Sequence, residues 1–337
     1  MSEEVAPIKV AIAGAGAMGT LFGTTLIEGG NDVTFLDGWP QLLEEMKKTP
    51  VAHRILEDGK EKDYDVKVFK FEEAPEEEKD LIIITVKSSD TDATLKKLVD
   101  RKLIGKKTVV LTLQGGFDNA DVIAKYHHDK NLILFGKTSC SSSGCPPRMM
   151  TIQKFKIANT TIWPLGCGKD DKPCERVEEI VKAVNASGLP FELTNLAIPD
   201  RWKMLLYYPA NIAVSAVVNL DFSTCWNCEP LQKVLEKLGE ECAQIAELEG
   251  VDTKYFNKEI SIEAVKKLAL VECPKHQGSM NQDIFNKRKT EIEATAGVLL
   301  KLAEKHKVDL PYTHTIYALI RAKESNYGNE CQKPAAK

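Results

Sequence analysis

Gly14, Ala15, Gly16, Ala17, Met18 and Gly19 form a Gly-x-Gly-x-x-Gly run directly after the apolar stretch Lys9–Ala13. In such a run the first glycine permits a tight turn and the second lets backbone approach a pyrophosphate. The third lets the following helix pack closely on its sheet. The helix N-terminus then offers unpaired N–H groups and the positive end of its dipole to phosphates. An acid, Asp37, stands 23 residues after Gly14, at the end of the second apolar run. A carboxylate placed there accepts the ribose hydroxyls of NAD and repels a 2′-phosphate. Gly38 and Trp39 follow it with no arginine, so NADH is expected in preference to NADPH. The competing role for Asp37 is a cap on the next segment, since aspartate is a common turn residue.

These residues need a sheet to position them, and the chain supplies one. Short runs rich in Val and Ile occur at 9–13, 32–36, 81–86, 108–113 and 131–135. Each is continuously apolar, as in parallel strands buried on both faces. Intervening stretches at 92–98 and 119–126 suit crossover helices. Residues 155–163 and 191–193 read as further edge strands around a helix at 174–185, and 141–147 reads as a loop by composition. The pattern is that of an α/β fold with a doubly wound, Rossmann-type parallel sheet. After Thr194 the periodicity changes. Leu231, Val234, Leu235, Leu238, Cys242, Ile245 and Leu248 recur at helical steps, and Ile284, Ile292, Leu299, Leu302 and Ala303 fit another long helix. The expected organisation is a dinucleotide-binding domain over 1–195, an all-helical domain over 196–326 for substrate and dimerisation, and a flexible tail over 327–337.

Several classes are excluded by the totals. A net charge of −4 over 337 residues gives no electrostatic case for nucleic acid or an anionic membrane. Nine scattered cysteines do not make a secreted disulfide framework. The acidic N-terminus lacks an apolar signal core, and no apolar run spans a bilayer, so a cytoplasmic location is expected. Cys225-Trp226-Asn227-Cys228 has no second pair at metal spacing and lies outside a thioredoxin-like context, which favours a structural role. His276, His306 and His314 show no ligand spacing, and no metal is expected.

The chain resembles the ketopantoate reductase family over nearly its whole length. The resemblance rests on the glycine run, on Thr85-Val86-Lys87 closing one strand and on Leu113-Gln114-Gly115-Gly116 closing the next. The most specific block is Ser279-Met280-Asn281-Gln282-Asp283-Ile284, continuing through Arg288-Lys289-Thr290-Glu291-Ile292; Pro311 and Lys323-Glu324 match the C-terminal pattern. Asp37-Gly38-Trp39-Pro40 is similar to an NAD-type branch of D-2-hydroxyacid dehydrogenases. The resemblance implies reduction of a small 2-oxo acid, 2-dehydropantoate or a relative, with a nicotinamide cofactor, and it allows a homodimer through the helical domain. It places Lys87, Gln114 and Gly115 at the cofactor, and Lys87 also at the substrate. It makes Ser279 a substrate ligand and Glu291 an anchor for the substrate or for the proton donor. Ser279 and Gln282 also spell an S-x-x-Q capping box, and Glu291 also suits a helix-face pair with Lys287. On one straight helix Ser279 and Glu291 would lie about 18 Å apart.

The chain departs from the family at two places. Gly115 stands where the family has Asn. The family's helix reads Trp-x-Lys-x-x-x-Asn-x-x-x-Asn; aligned on Trp202, this chain puts Met204, Tyr208 and Ile212 at the Lys and two Asn positions. Shifted by one residue, Lys203, Tyr207 and Asn211 fall on one polar stripe. Pro209 is expected to kink the helix. The shifted register makes Lys203 the expected proton donor and Asn211 a substrate contact, with Lys87 as the fallback donor. The alternatives are an opine or 3-hydroxyacid dehydrogenase of similar architecture, or an NADH-binding protein whose catalytic apparatus has eroded.

Overall fold

The computed structural model describes residues 5–145 and 147–327. The chain divides into two compact units, one made of 1–114 with 119–197 and the other of 115–118 with 198–337.

The first unit begins β1 (Lys9–Ala13), α1 (Ala17–Glu28), β2 (Asp32–Asp37), α2 (Pro40–Lys48), β3 (Val51–Ile55), β4 (Glu61–Asp65) and β5 (Lys67–Lys70). It continues with β6 (Leu81–Ile84), α3 (Thr91–Asp100), β7 (Val109–Thr112), α4 (Asn119–Ile123) and β8 (Ile133–Thr138). It closes with β9 (Ser141–Gly144), β10 (Thr151–Lys156), β11 (Thr160–Pro164), α5 (Glu175–Ala186) and β12 (Phe191–Leu193). Eight strands form one sheet in the order β12-β11-β8-β7-β6-β1-β2-β5. All its neighbours are parallel except β8 and β11. The runs read as buried strands are buried: Val10–Ala13, Leu81–Ile84 and Val109–Thr112 are shielded at every position. Strand order reverses between β1 and β6, and in open α/β sheets ligands bind at the carboxyl ends of strands at such a reversal.

Four strands form a second sheet, β4-β3-β10-β9, that hydropathy did not announce. Residues 141–144, read as loop, are its edge strand β9. Residues 155–163, read as one strand, belong to two: β10 in the small sheet and β11 in the large one. Buried Arg54 on β3 ties this sheet to α1, donating to Thr24, Thr25 and Glu28.

The second unit is helical. It holds α6 (Ala197–Tyr207), a π-helical turn over Tyr208–Ala213, α7 (Val214–Val218), α8 (Phe222–Asn227) and α9 (Glu229–Leu248). Then come α10 (Lys258–Lys267), a second π turn over Leu268–Glu272, α11 (Ser279–Phe285), α12 (Ala296–His306) and α13 (Pro311–Ser325). The kink expected at Pro209 takes the form of the first π turn, because a proline lacks the N–H that α6 needs to continue. The long helix expected through Ile284 and Leu302 is two helices, α11 and α12, with residues 286–295 non-helical between them. Lys287 takes a left-handed φ of 52° just past the end of α11, which stops the helix.

Residues 115–118 pack with this helical unit, although the sequence placed them in the nucleotide-type domain. Phe117 explains why. Its ring stacks on Trp202 at 4.7 Å and lies 4.1 Å under the Arg201 guanidinium, and its N–H donates to the Ala294 carbonyl at 3.0 Å. Of the tail expected over 327–337, residues 328–337 lie outside the described residues. Among the described residues no helix is long and apolar enough to cross a membrane.

Candidate active site

The glycine loop is locked in place from below. Gly14 has φ +110°, and a Cβ on it would meet the backbone of Thr85 and Val86 at 2.9 and 2.8 Å. The Thr85 hydroxyl donates to the Gly14 carbonyl at 2.7 Å, so the end of β6 grips the loop. A Cβ on Gly19 would fall 1.9 Å from the Gly14 oxygen. A Cβ on Gly16 would meet nothing within 4 Å. Two of the three glycines are therefore required by packing, and the third keeps open ground in front of the N-terminus of α1. That is where a pyrophosphate binds, so these residues fit a dinucleotide. Ala15, Ala17 and Met18 carry the loop into α1.

Asp37 sits at the carboxyl end of β2, partly exposed. One carboxylate oxygen accepts from the Ala15 N–H at 2.7 Å and the other from the Trp39 N–H at 2.8 Å. The second bond is the local turn expected of an aspartate, yet Trp39, not Asp37, precedes the first residue of α2. The first bond draws the carboxylate onto the glycine loop. Beside it opens a cavity of about 230 Å³ lined by Gly16, Asp37, Trp39, Leu42, Arg148 and Met150, among others. Arg148 was missed in the sequence because it comes from the small sheet's neighbourhood, more than a hundred residues from the loop. Its guanidinium makes a two-pronged pair with Glu61 at 2.6 and 3.0 Å, which engages the cation nearest Asp37 in this cavity.

Lys87 follows β6 and immediately precedes a short 3-10 turn at 88–90. Gln114, just beyond β7, braces that segment: its amide donates to the Val86 carbonyl at 2.6 Å and to the Thr91 hydroxyl at 2.8 Å. The strand-end motifs noted in the sequence thus meet at the carboxyl ends of β6 and β7, next to the switch in strand order.

In the helical unit the chain brings together Gly115, Tyr208, Ser279 and Glu291. The Tyr208 hydroxyl donates to the Glu291 carboxylate at 3.3 Å, and the Ser279 hydroxyl lies near enough to bear on its acidity. A Cβ on Gly115 would lie 1.6 Å from that phenol oxygen and 3.0 Å from a Glu291 oxygen. The break after α11 removes the separation that a straight helix would impose on Ser279 and Glu291. Ser279 is the first residue of α11 and Gly278 is its N-cap, without a side-chain cap bond, so the S-x-x-Q box does not form. Burial raises the Tyr208 phenol above its ordinary range, and the neighbouring Glu291 carboxylate raises it further.

The shifted register does not join this cluster. Lys203 pairs within its own helix with Asp200 at 3.2 Å, and Asn211 donates to the Val265 carbonyl of α10 at 3.2 Å. Tyr207, between them, is raised by burial and then by Glu272 and Asp200. That stripe faces α10 and the turn after it. The Trp202 register faces the cluster instead: Tyr208 is in it, and Ile212 lies where a Cβ on Gly278 would touch it at 2.9 Å. Lys203 and Asn211, expected as donor and substrate contact, are engaged by Asp200 and by the Val265 carbonyl rather than by this cluster. Cys225 is buried, and burial pushes its thiol up to about 11, the opposite of an activated thiolate.

A Rossmann-type sheet carrying a glycine-loop cradle, joined in sequence to a helical unit with a buried phenol–carboxylate cluster, defines an NAD(P)-linked oxidoreductase. The pattern of the family described as Ketopantoate reductase PanE/ApbA matches residues 10–153, and its C-terminal counterpart matches residues 197–324. The chain belongs to the ketopantoate reductase family. It is 27% identical over 319 residues to the 2-dehydropantoate 2-reductase of Lactococcus lactis, covering 94% of this chain and 98% of that one. It is 27% identical over 331 residues to that of Halobacterium salinarum, covering 93% and 98%. The structure of D-mandelate dehydrogenase with NADH and anilino(oxo)acetate superposes with a TM-score of 0.85 at 25% identity, covering 95% of this chain and 99% of that one.

Proposed function

We propose that this protein reduces a small 2-oxo acid to the 2-hydroxy acid, with NADH as the preferred cofactor. The glycine loop clamped to β6, with Asp37 drawn onto it, carries the reading. Both named relatives are 2-dehydropantoate 2-reductases, and the D-mandelate dehydrogenase holds NADH with an oxo-acid compound. When bound, a reduced nicotinamide supplies a hydride. The open ground at Gly16 and the N–H groups opening α1 hold the pyrophosphate, and Asp37 accepts from the ribose hydroxyls. Lys87, placed by the Gln114 brace, offers positive charge to the nicotinamide ribose or to the substrate carboxylate. Ser279 and Glu291 orient the substrate oxygen. Oxidation of NADH over a panel of 2-oxo acids, ketopantoate included, tests the activity; no turnover on any of them removes it. A homodimer through the helical unit belongs to the same proposal and is read by sedimentation at several concentrations.

Asp37 sets the cofactor choice. The value of kcat/KM is expected to be at least about tenfold higher with NADH than with NADPH, or about 1.4 kcal/mol. Asp37→Ala is expected to narrow that ratio by weakening NADH and relieving the 2′-phosphate. Equal values in the wild-type protein would remove the assignment.

Glu291→Gln is expected to lower kcat by about a hundredfold while leaving NADH affinity within twofold, as for loss of a group that acts on a proton in the transition state. Steady-state kinetics alongside NADH fluorescence titration separates the two readings. Wild-type kcat in a folded variant returns Glu291 to a structural role.

A further inference from the structure

Resting on the 2-oxo acid reading, we propose that Tyr208 replaces the family's lysine as proton donor in this chain, giving its hydroxyl proton to the substrate carbonyl oxygen as the hydride arrives. Three observations carry this. Aligned on Trp202, the register that the Tyr208–Glu291 contact favours, the chain has Met204 at the lysine position, and a thioether has no proton to give. On the same face, one turn on, stands Tyr208, where the family has Asn. And Gly115, the second position at which the family has Asn, has no side chain, which leaves the space that the Tyr208 hydroxyl fills. The two departures thus meet in one space: a side chain at 115 would require the Tyr208 ring to shift.

The chemistry balances. C2 gains the hydride, and the carbonyl oxygen gains the proton as the Tyr208 O–H bond breaks. The phenolate regains a proton from water by way of Glu291, whose carboxylate already shares the hydroxyl. Ser279 stands beside the phenol and moderates the rise in its pKa. With its acidity suppressed by burial and by Glu291, the phenol keeps its proton at neutral pH until an alkoxide forms to take it. Tyr208, Gly115, Ser279 and Glu291 are each half-buried rather than fully enclosed.

The test is Tyr208→Phe in the full chain. Its melting temperature and NADH affinity, read by fluorescence titration, are expected to match the wild type. Binding of oxamate, a non-reducible 2-oxo acid mimic, is expected to weaken about tenfold on loss of the hydroxyl. Single-turnover NADH oxidation is expected to fall about a hundredfold, with loss of the solvent deuterium isotope effect. If the wild type turns over a 2-oxo acid and the variant keeps its rate within threefold, Tyr208 is not the donor although the enzymatic reading stands. If the wild type turns over none, the reading itself fails and takes the donor with it. Should Tyr208→Phe not fold, 3,5-difluorotyrosine at position 208 keeps the shape and lowers the phenol pKa. An unchanged rate and isotope effect there would overturn the proposal equally.

Discussion

Gly16→Ala and Gly19→Ala are expected to abolish useful NADH binding, each by a different route. At Gly19 the new methyl would sit 1.9 Å from the Gly14 carbonyl oxygen and 2.9 Å from the Thr85 hydroxyl that is bonded to it. Neither can give, so α1 must lift from β1, at a cost of about 3 kcal/mol in stability. The helix N-terminus leaves the phosphates with it. At Gly16 the new methyl meets no protein atom within 4 Å, so the fold is untouched. The methyl stands instead in the ground that the pyrophosphate needs. Both variants are expected to weaken NADH at least about a hundredfold, or about 2.7 kcal/mol. Only Gly19→Ala is expected to lower the melting temperature. Fluorescence titration and calorimetry on the pair check this. Full NADH affinity in Gly16→Ala would mean that the loop does not face a pyrophosphate.

Gly115→Asn, which restores the residue usual in the family, is expected to destabilise this chain rather than repair it. Its Cβ alone would fall 1.6 Å from the Tyr208 hydroxyl, so the phenol must shift and give up its bond to Glu291. Overpacking of this kind costs about 1–3 kcal/mol, a fall of about 2–10 °C in melting temperature for a unit of this size. Tyr208→Ala should recover much of the loss when combined with it, although alone it opens a cavity. Thermal melts of the two single variants and the double variant give the coupling directly. Additive losses would show that the two positions do not share one space.

The parts of this fold that were legible have strong local signals. Val10–Ala13 and Leu81–Ile84 are unbroken apolar runs because both faces of their strands are covered, and the glycine loop repeats a spacing that backbone geometry dictates. The small sheet had no such signal. In Glu61–Asp65 only Tyr64 is buried, so the strand reads as a solvated charged segment. The break between α11 and α12 was hidden by apolar residues that keep helical spacing on both sides of it. The polar stripe on α6 shows a related difficulty. A polar stripe of Lys203, Tyr207 and Asn211 looks like a site, but Asn211 spends its amide on α10 and Lys203 on its own helix. The contact that bears on the choice of register joins residues 93 positions apart, Gly115 and Tyr208, which no window along the chain contains.

The placement of residues 115–118 bears on how this protein can be dissected. A gene split between codons 197 and 198 gives two pieces, neither of which is a natural fragment. The piece 198–337 would lack Phe117, leaving the Trp202 ring without its stacking partner and the Ala294 carbonyl without its donor. It would also lack the backbone beside the Tyr208 hydroxyl. The N-terminal piece would carry Phe117 without the Trp202 ring and the Arg201 guanidinium that it packs against. Isolated expression of the helical unit therefore calls for a designed chain in which a short linker returns residues 115–118 to it.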